Sequence, residues 1–198
     1  MLHIENLRRP GLTPTSLHID AGECVALMGP SGAGKSLLLR AIADLDPNEG
    51  ELRLNGAERA GIPAPDWRRK VGYLPAETGW WAPLVGAHFT DSGAAAPIIA
   101  ALNLPPDCLN WPVERLSTGE KQRLGFARLL ELRPLVYLLD EPTSALDPAA
   151  IEAVEAVIAK RLHEGAGILM TTHDAAQAAR LAGRQLRIKD GAVSEAGP

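Results

Sequence analysis

Residues Gly29-Pro30-Ser31-Gly32-Ala33-Gly34-Lys35-Ser36 set three glycines ahead of a lysine and a hydroxyl, in the pattern G-x-x-x-x-G-K-[ST]. Glycines without a Cβ let backbone N–H groups curl around phosphate oxygens, and the lysine and hydroxyl complete the cradle. In that chemistry Lys35 reaches the β- and γ-phosphates of a nucleoside triphosphate, and the Ser36 hydroxyl ligates Mg²⁺. The flanks agree with it. Cys24-Val25-Ala26-Leu27-Met28 is a short apolar run that predicts a buried strand, and Lys35 to Ala43 has helical character. A loop between such a strand and such a helix offers a phosphate the partial positive charge of a helix N-terminus. The binding candidates are therefore Gly29, Pro30, Ser31, Gly32, Ala33, Gly34, Lys35, Ser36 and the next residue, Leu37.

A second constellation is Leu135-Val136-Tyr137-Leu138-Leu139-Asp140-Glu141, an apolar strand ending in two acids. Buried carboxylates are costly unless paired or metal-bound. In α/β sheets, ligands gather at the carboxyl ends of parallel strands. Side chains alternate faces along a strand, so adjacent acids can take different tasks. Asp140 suits an Mg²⁺ shell, and Glu141 suits the polarisation of an attacking water. Taken alone, the pair also admits an ordinary polar strand end as the lesser reading.

The elements that must position these groups follow from the apolar pattern. Glu51-Leu52-Arg53-Leu54 alternates before the turn signal Asn55-Gly56, and Val71-Gly72-Tyr73-Leu74 predicts another strand. Gly167 to Met170 and Gln185 to Ile188 predict two more, the latter reaching a turn at Lys189-Asp190-Gly191. Asp147-Pro148 predicts a helix start, with the carboxylate as N-cap and proline at the first helical position. Ile151, Val154, Val157, Ile158 and Leu162 then follow the helical period. Strands alternating with helices predict an α/β fold with a mainly parallel sheet covered on both faces. Residues Glu77–Leu116, rich in proline, alanine and tryptophan, break the rhythm and read as an insertion.

Bulk properties narrow the function further. With 198 residues, 46% of them hydrophobic and 22% charged, the chain can bury a core. A net charge of −4 gives no electrostatic footprint for nucleic acid. Cys24 and Cys108 stand outside any metal-ligand or redox spacing, and Met1 to Asn6 lacks a leader pattern, which fits a reducing, cytosolic compartment. Between Thr78 and Pro106 the only formal charge is Asp91, but prolines and glycines interrupt the stretch. Asp91 alone would add roughly 2.5–3.5 kcal/mol to membrane insertion, so a spanning helix is excluded there.

Leu116-Ser117-Thr118-Gly119-Glu120-Lys121-Gln122-Arg123 resembles the signature L-S-G-G-Q-x-Q-R of the ATPase subunits of ABC (ATP-binding cassette) systems, with Thr118 and Glu120 as substitutions. Ser117-x-x-Glu120 is also a capping box, and the two readings are compatible, because a helix start presents free N–H groups. Ser144-Ala145-Leu146-Asp147 is similar to the family's D-loop, and His173 to its switch histidine. With the glycine-rich loop and the double-acid strand, these motifs keep the family's order between residues 29 and 173.

The resemblance implies a P-loop NTPase (RecA-like) core with a mainly parallel sheet, a small N-terminal antiparallel β part and a short inserted helical subdomain. One cassette would span 1–198, its core being 1–76 and 117–198 and its insertion 77–116. The implied cofactors are ATP and Mg²⁺, with Ser36 and Asp140 on the metal and Glu141, His173 and Lys35 in catalysis. The implied partners are a second cassette, in a homodimer or heterodimer, and an integral membrane permease on a separate chain. Ser117 and Gly119 would contact ATP held by the other cassette, and Asp147 would join the nucleotide site. The implied location is cytoplasmic, peripheral on the inner face of a bacterial membrane. The compact cassette is also similar to small bacterial exporters, including the iron-export type. Two other classes stay open: a soluble non-transport ABC ATPase, and a slow-hydrolysing regulatory subunit.

Three departures from the family pattern bear on the site. Ala76 stands where the family's Q-loop glutamine is expected, with Glu77 as a possible substitute. The aromatic that stacks on adenine is missing from Leu7-Arg8-Arg9-Pro10-Gly11, leaving Arg8 or Arg9 as candidates for a cation–π contact or as solvent-facing side chains. Leu37 stands where many cassettes have threonine. Trp80, Trp81 and Phe89 follow the altered loop, either as docking residues for a permease or as packing within the insertion. His3, His18, His88, His163 and both cysteines read as surface or filler positions.

Overall fold

A computed structural model describes residues 1–195. β1 (Leu2–Arg9) and β2 (Leu12–Ile19) alternate buried and exposed positions, as strands with one wet face must. They pair antiparallel with β4 (Glu49–Leu54) and β5 (Ala57–Glu58) in a four-stranded sheet of order β2-β1-β4-β5. Asn55 and Gly56 make the tight β4–β5 turn with φ of 50° and 83°, as a two-residue hairpin requires.

The second sheet has the order β10-β9-β3-β8-β7-β6. Its strands are β3 (Cys24–Met28), β6 (Val71–Leu74), β7 (Val136–Asp140), β8 (Gly167–Thr171), β9 (Arg184–Lys189) and β10 (Ala192–Glu195). All neighbours pair parallel except β9 and β10, which form a hairpin through Asp190-Gly191. The central strands are apolar on both faces because both are covered. Val25, Leu27, Val136, Leu138 and Leu169 join a core with the antiparallel sheet and α1 (Lys35–Ile42). The alternate residues Cys24, Ala26, Tyr137, Leu139, Ile168 and Met170 face a second core. That core holds α4 (Thr118–Glu131), α5 (Pro148–His163) and α6 (Ala175–Leu181). The expected α/β architecture is therefore present, with the antiparallel part at the N-terminal end.

Residues 77–116 contribute no strand to either sheet. They contain α3 (Ser92–Ala101) and short 3₁₀ turns at Val85–His88, Cys108–Asn110 and Val113–Arg115. Asp91 caps α3 by accepting from the Gly93 and Ala94 N–H groups, while Glu131 of α4 accepts from the Thr90 and Asp91 N–H groups. The aromatic trio divides. Trp80 and Phe89 are half-buried against the second core, whereas Trp81 is 75% exposed. His88 is a buried fastener: its Nε2 accepts from the N–H groups of Trp81 and Ala82, and its Nδ1 faces the Leu84 and Val85 carbonyls. Cys24 and Cys108 are free and buried, and burial pushes their thiols up to about 12 and about 11, so both are inert packing groups.

Trp67, in α2 (Ala64–Lys70), ties that helix to the C-terminal end of α1, the helix that follows the glycine-rich loop. It is fully buried, and its indole N–H donates 2.9 Å to the carbonyl of Ile42, the last residue of α1. Trp67→Phe removes that donor, leaves a buried carbonyl unpaired and opens a cavity, so it is expected to cost about 2–4 kcal/mol. Urea unfolding measures this directly, with Trp81→Phe as a control expected to stay within about 0.5 kcal/mol.

Candidate active site

The loop between β3 and α1 is shaped by what its glycines approach. A Cβ on Gly29 would lie 2.2 Å from the Ile188 carbonyl oxygen, so β9 admits nothing larger there. Gly34 is the N-cap of α1 at φ 105°, a conformation side chains disfavour. The β9–β10 turn supports the loop from beneath, the Gly191 N–H donating 3.0 Å to the Ala33 carbonyl. Pro30, Ser31, Gly32 and Ser36 are left exposed, while Ala33, Gly34 and Lys35 are buried. The Lys35 ammonium curls back and donates to the Gly29 and Pro30 carbonyls at 2.9 and 3.2 Å. A phosphate offers that ammonium far better acceptors than two carbonyls.

Ser31, Gly32, Gly34, Lys35, Ser36, Leu37 and Glu141 line a cavity of about 260 Å³. A neighbouring cavity of about 180 Å³ is lined by Glu141, Thr143, Ser144, Leu146, Ile151, Thr172, His173 and Asp174. Glu141 is the wall they share. Its carboxylate lies 3.9 Å from Lys35 Nζ through one oxygen and 3.7 Å from His173 Nδ1 through the other. Its backbone sits at φ 47°, a left-handed conformation that costs roughly 1–2 kcal/mol for a residue with a Cβ.

Asp140 is only 3% exposed, and both of its oxygens are engaged. Oδ1 accepts from the Thr171 hydroxyl at 2.7 Å, and Oδ2 from the Tyr73 hydroxyl at 3.1 Å. Burial first and the Asp140 charge next push the Tyr73 phenol upward, which keeps it a donor. Two neutral donors satisfy the buried carboxylate and leave it lone pairs for a metal or a metal-bound water. A hydroxyl at Ser36 and a carboxylate at Asp140 are hard oxygen donors of the sort Mg²⁺ takes beside phosphate oxygens, so the residues fit that ion.

Other expected site residues lie outside this group. Ser117 and Glu120 form the reciprocal capping box of α4: the Ser117 oxygen accepts the Glu120 N–H, and Glu120 accepts the Ser117 N–H at 2.8 Å. That N–H holds the Glu120 carboxyl below its usual range. Gly119 packs on the loop after β7, where a Cβ would lie 3.0 Å from the Ala145 carbonyl oxygen. Asp147 caps α5 by accepting the Ala150 N–H at 3.0 Å, as its sequence position predicts. Ala76 and Glu77 are both exposed. Arg8 pairs with Glu49, and Arg9 joins Arg40 on Asp46, so both arginines are committed to carboxylates. The Arg40 hydrogen bond is the main force holding the Asp46 carboxyl well below the carboxylate range. Sequence reasoning did not single out Tyr73 or Thr171, because the cross-strand contacts that put them on Asp140 leave no local signal.

Fold and loop together define an α/β protein of the nucleoside-triphosphate-binding class. The sequence pattern of the ABC transporter family matches residues 12–144. The thiamine import ATP-binding protein ThiQ of Photorhabdus laumondii is 37% identical over 98% of this chain and 88% of its own length. A solved ATP-binding subunit of an ABC transporter superimposes with a TM-score of 0.86 at 28% identity, covering 98% of this chain and 90% of that one. A dimeric ATP-binding cassette solved in a post-hydrolysis state with ADP and Pi gives a TM-score of 0.85 at 24% identity, covering 100% of both chains. The chain belongs to the ABC transporter family: it is an ATP-binding, ATP-hydrolysing cassette. Its coverage of curated relatives ranges from 53% to 88% of their length. Lys35→Met removes the ammonium that lines the loop cavity and is expected to weaken ATP binding at least tenfold, as read by calorimetric titration.

Proposed function

We propose that this cassette is the motor of a membrane transporter, acting as one of a pair and coupled to a permease on a separate chain. The observation that carries the reading is the Glu141 carboxylate held between Lys35 and His173, on the wall shared by the two cavities. In it, Lys35 and the N–H groups of residues 29–36 bind the phosphates of ATP. Ser36 and Asp140 hold Mg²⁺, which when bound supplies charge neutralisation at the phosphates. Glu141 takes a proton from the attacking water, and His173 orients that water and the γ-phosphate. His173 is well suited to this by its exposure, its side chain being 69% accessible to an incoming group.

Pairing accounts for the remaining motif. Among the described residues, no hydrogen bond or ion pair joins 117–123 to Lys35, Ser36 or Glu141, although the start of α4 presents an ordered, capped N-terminus with Ser117 and Thr118 exposed. A second cassette would bring that end, with Ser117 and Gly119, onto the γ-phosphate, and Asp147 to the edge of the same site. The dimeric fold neighbour supports such an arrangement. Residues 77–116 form the inserted part, and exposed Trp81 is the aromatic presented for the permease. No helix among the described residues is long and apolar enough to cross a membrane, so any route across a bilayer belongs to another chain or segment. A peripheral cytoplasmic position follows from this reading. ThiQ is named for import. A motor without a cargo site does not encode direction.

Glu141→Gln is expected to lower turnover by roughly 10²–10⁴-fold and to elute as a dimer in gel filtration with Mg-ATP. A monomer under those conditions would remove the pairing, and wild-type turnover would remove the base. Slow turnover in the wild type itself, near that of Lys35→Met, would favour a regulatory subunit, the reading that Ala76 motivates. Trp81→Ala is expected to reduce capture of a multi-span membrane protein from solubilised membranes. Unchanged capture would return Trp81 to the surface.

A further inference from the structure

Among the described residues, Thr171 is the one side chain hydrogen-bonded to both Asp140 and Glu141 at the end of β7. It is fully buried, and the parallel register of β7 and β8 sets it opposite Asp140. Its Oγ1 lies 2.7 Å from Asp140 Oδ1 and 2.9 Å from the Glu141 backbone nitrogen. The direction of each bond is fixed by chemistry. The Glu141 N–H can only donate, so the hydroxyl oxygen accepts there, and its single proton goes to the carboxylate, which can only accept. One hydroxyl therefore joins the acid suited to the metal with the backbone of the acid suited to the water. It also fastens Glu141 where φ is 47° and where the ordinary ladder of β7 has ended. Tyr73 reaches Asp140 alone, through the other oxygen.

We propose that Thr171 is a positioning residue for hydrolysis, its hydroxyl setting the Glu141 backbone and Asp140 Oδ1 in register so that base and metal ligand address the same phosphate. The proposal rests on the roles given above to Asp140 and Glu141. It requires no loop glutamine: the ordering of the two acids comes from within the sheet, in a chain that has Ala76 at the loop position.

Thr171→Val keeps the shape and deletes both bonds, Thr171→Ser keeps both bonds and deletes a methyl, and Tyr73→Phe deletes only the second contact of Asp140. Turnover, ATP affinity without metal, and the Mg²⁺ concentration giving half-maximal tight nucleotide binding are measured for each, with circular dichroism as the check on folding. For Thr171→Val the expected result is turnover down tenfold or more, metal-free ATP affinity within about threefold of wild type, and a several-fold higher Mg²⁺ requirement. Thr171→Ser is expected to recover turnover to within about threefold. Tyr73→Phe is expected to raise the Mg²⁺ requirement with a smaller loss of turnover, because the Glu141 N–H keeps its acceptor. Wild-type turnover in the valine variant, or a serine variant as impaired as valine, overturns the proposal. If the valine variant does not fold, Thr171→Cys, which weakens both bonds at similar size, is held to the same pattern. Glu141→Gln run alongside separates the two levels. A dead glutamine variant beside an active valine variant sinks only the role of Thr171, whereas an active glutamine variant sinks the assignment of the base.

Discussion

Parallel pairing of β3, β8 and β7 ends all three strands at one edge of the sheet, and every group in the candidate site hangs from that edge. Leu27 of β3 and Asp140 of β7 are both register partners of Thr171, which stands between them on β8. The glycine-rich loop leaves β3, the acids leave β7, and His173 lies two residues beyond β8. Because a one-residue slip in a strand reverses the face of every side chain, the two apolar cores that clamp this sheet also fix which polar groups meet at its edge. The hydrophobic burial and the site chemistry are thus set by the same register.

That edge must hold charges next to a dry core, and the structure handles each in a different way. Asp140 is buried and satisfied by two neutral hydroxyls, so its desolvation is offset without a counter-charge that would compete with a metal. Lys35 is buried too, but rests on two carbonyls of its own loop, acceptors that a phosphate displaces. Glu141 and His173 are left progressively more open to solvent, in keeping with groups that meet water and ligand. The gradient runs from a buried carboxylate at Asp140, through Glu141, to an exposed imidazole at His173.

Much of this was readable in the sequence because it is local. The glycine spacing, the double acid, the Asp147 cap and the Ser117–Glu120 box each depend on residues within eight positions of one another, and their backbone consequences follow from short-range sterics. What escaped was non-local. Thr171 and Tyr73 meet Asp140 across 31 and 67 residues of sequence, through a register no composition rule encodes. His88 reads as filler, but is a buried acceptor for two backbone N–H groups. Arg8 and Arg9 read first as solvent-facing side chains, with base stacking as the alternative, and only the fold reveals Glu49 and Asp46 as their partners.

The departures from the family pattern acquire a common physical sense in this light. In the family pattern the loop glutamine would meet the metal site from outside the sheet, whereas here Ala76 and Glu77 are exposed and, among the described residues, no hydrogen bond or ion pair joins them to Asp140. Tyr73, three residues earlier and still within β6, reaches Asp140 from inside the sheet instead. A contact borne by a strand is stiffer than one borne by a loop, because the ladder to β7 holds the backbone of β6. Both oxygens of Asp140 are thus engaged by strand residues with no contribution from the loop. Arg128 of α4 stacks over Trp80 and Trp81 and donates to the Gly79 carbonyl, so the chain after β6 is anchored to α4 rather than to the two acids.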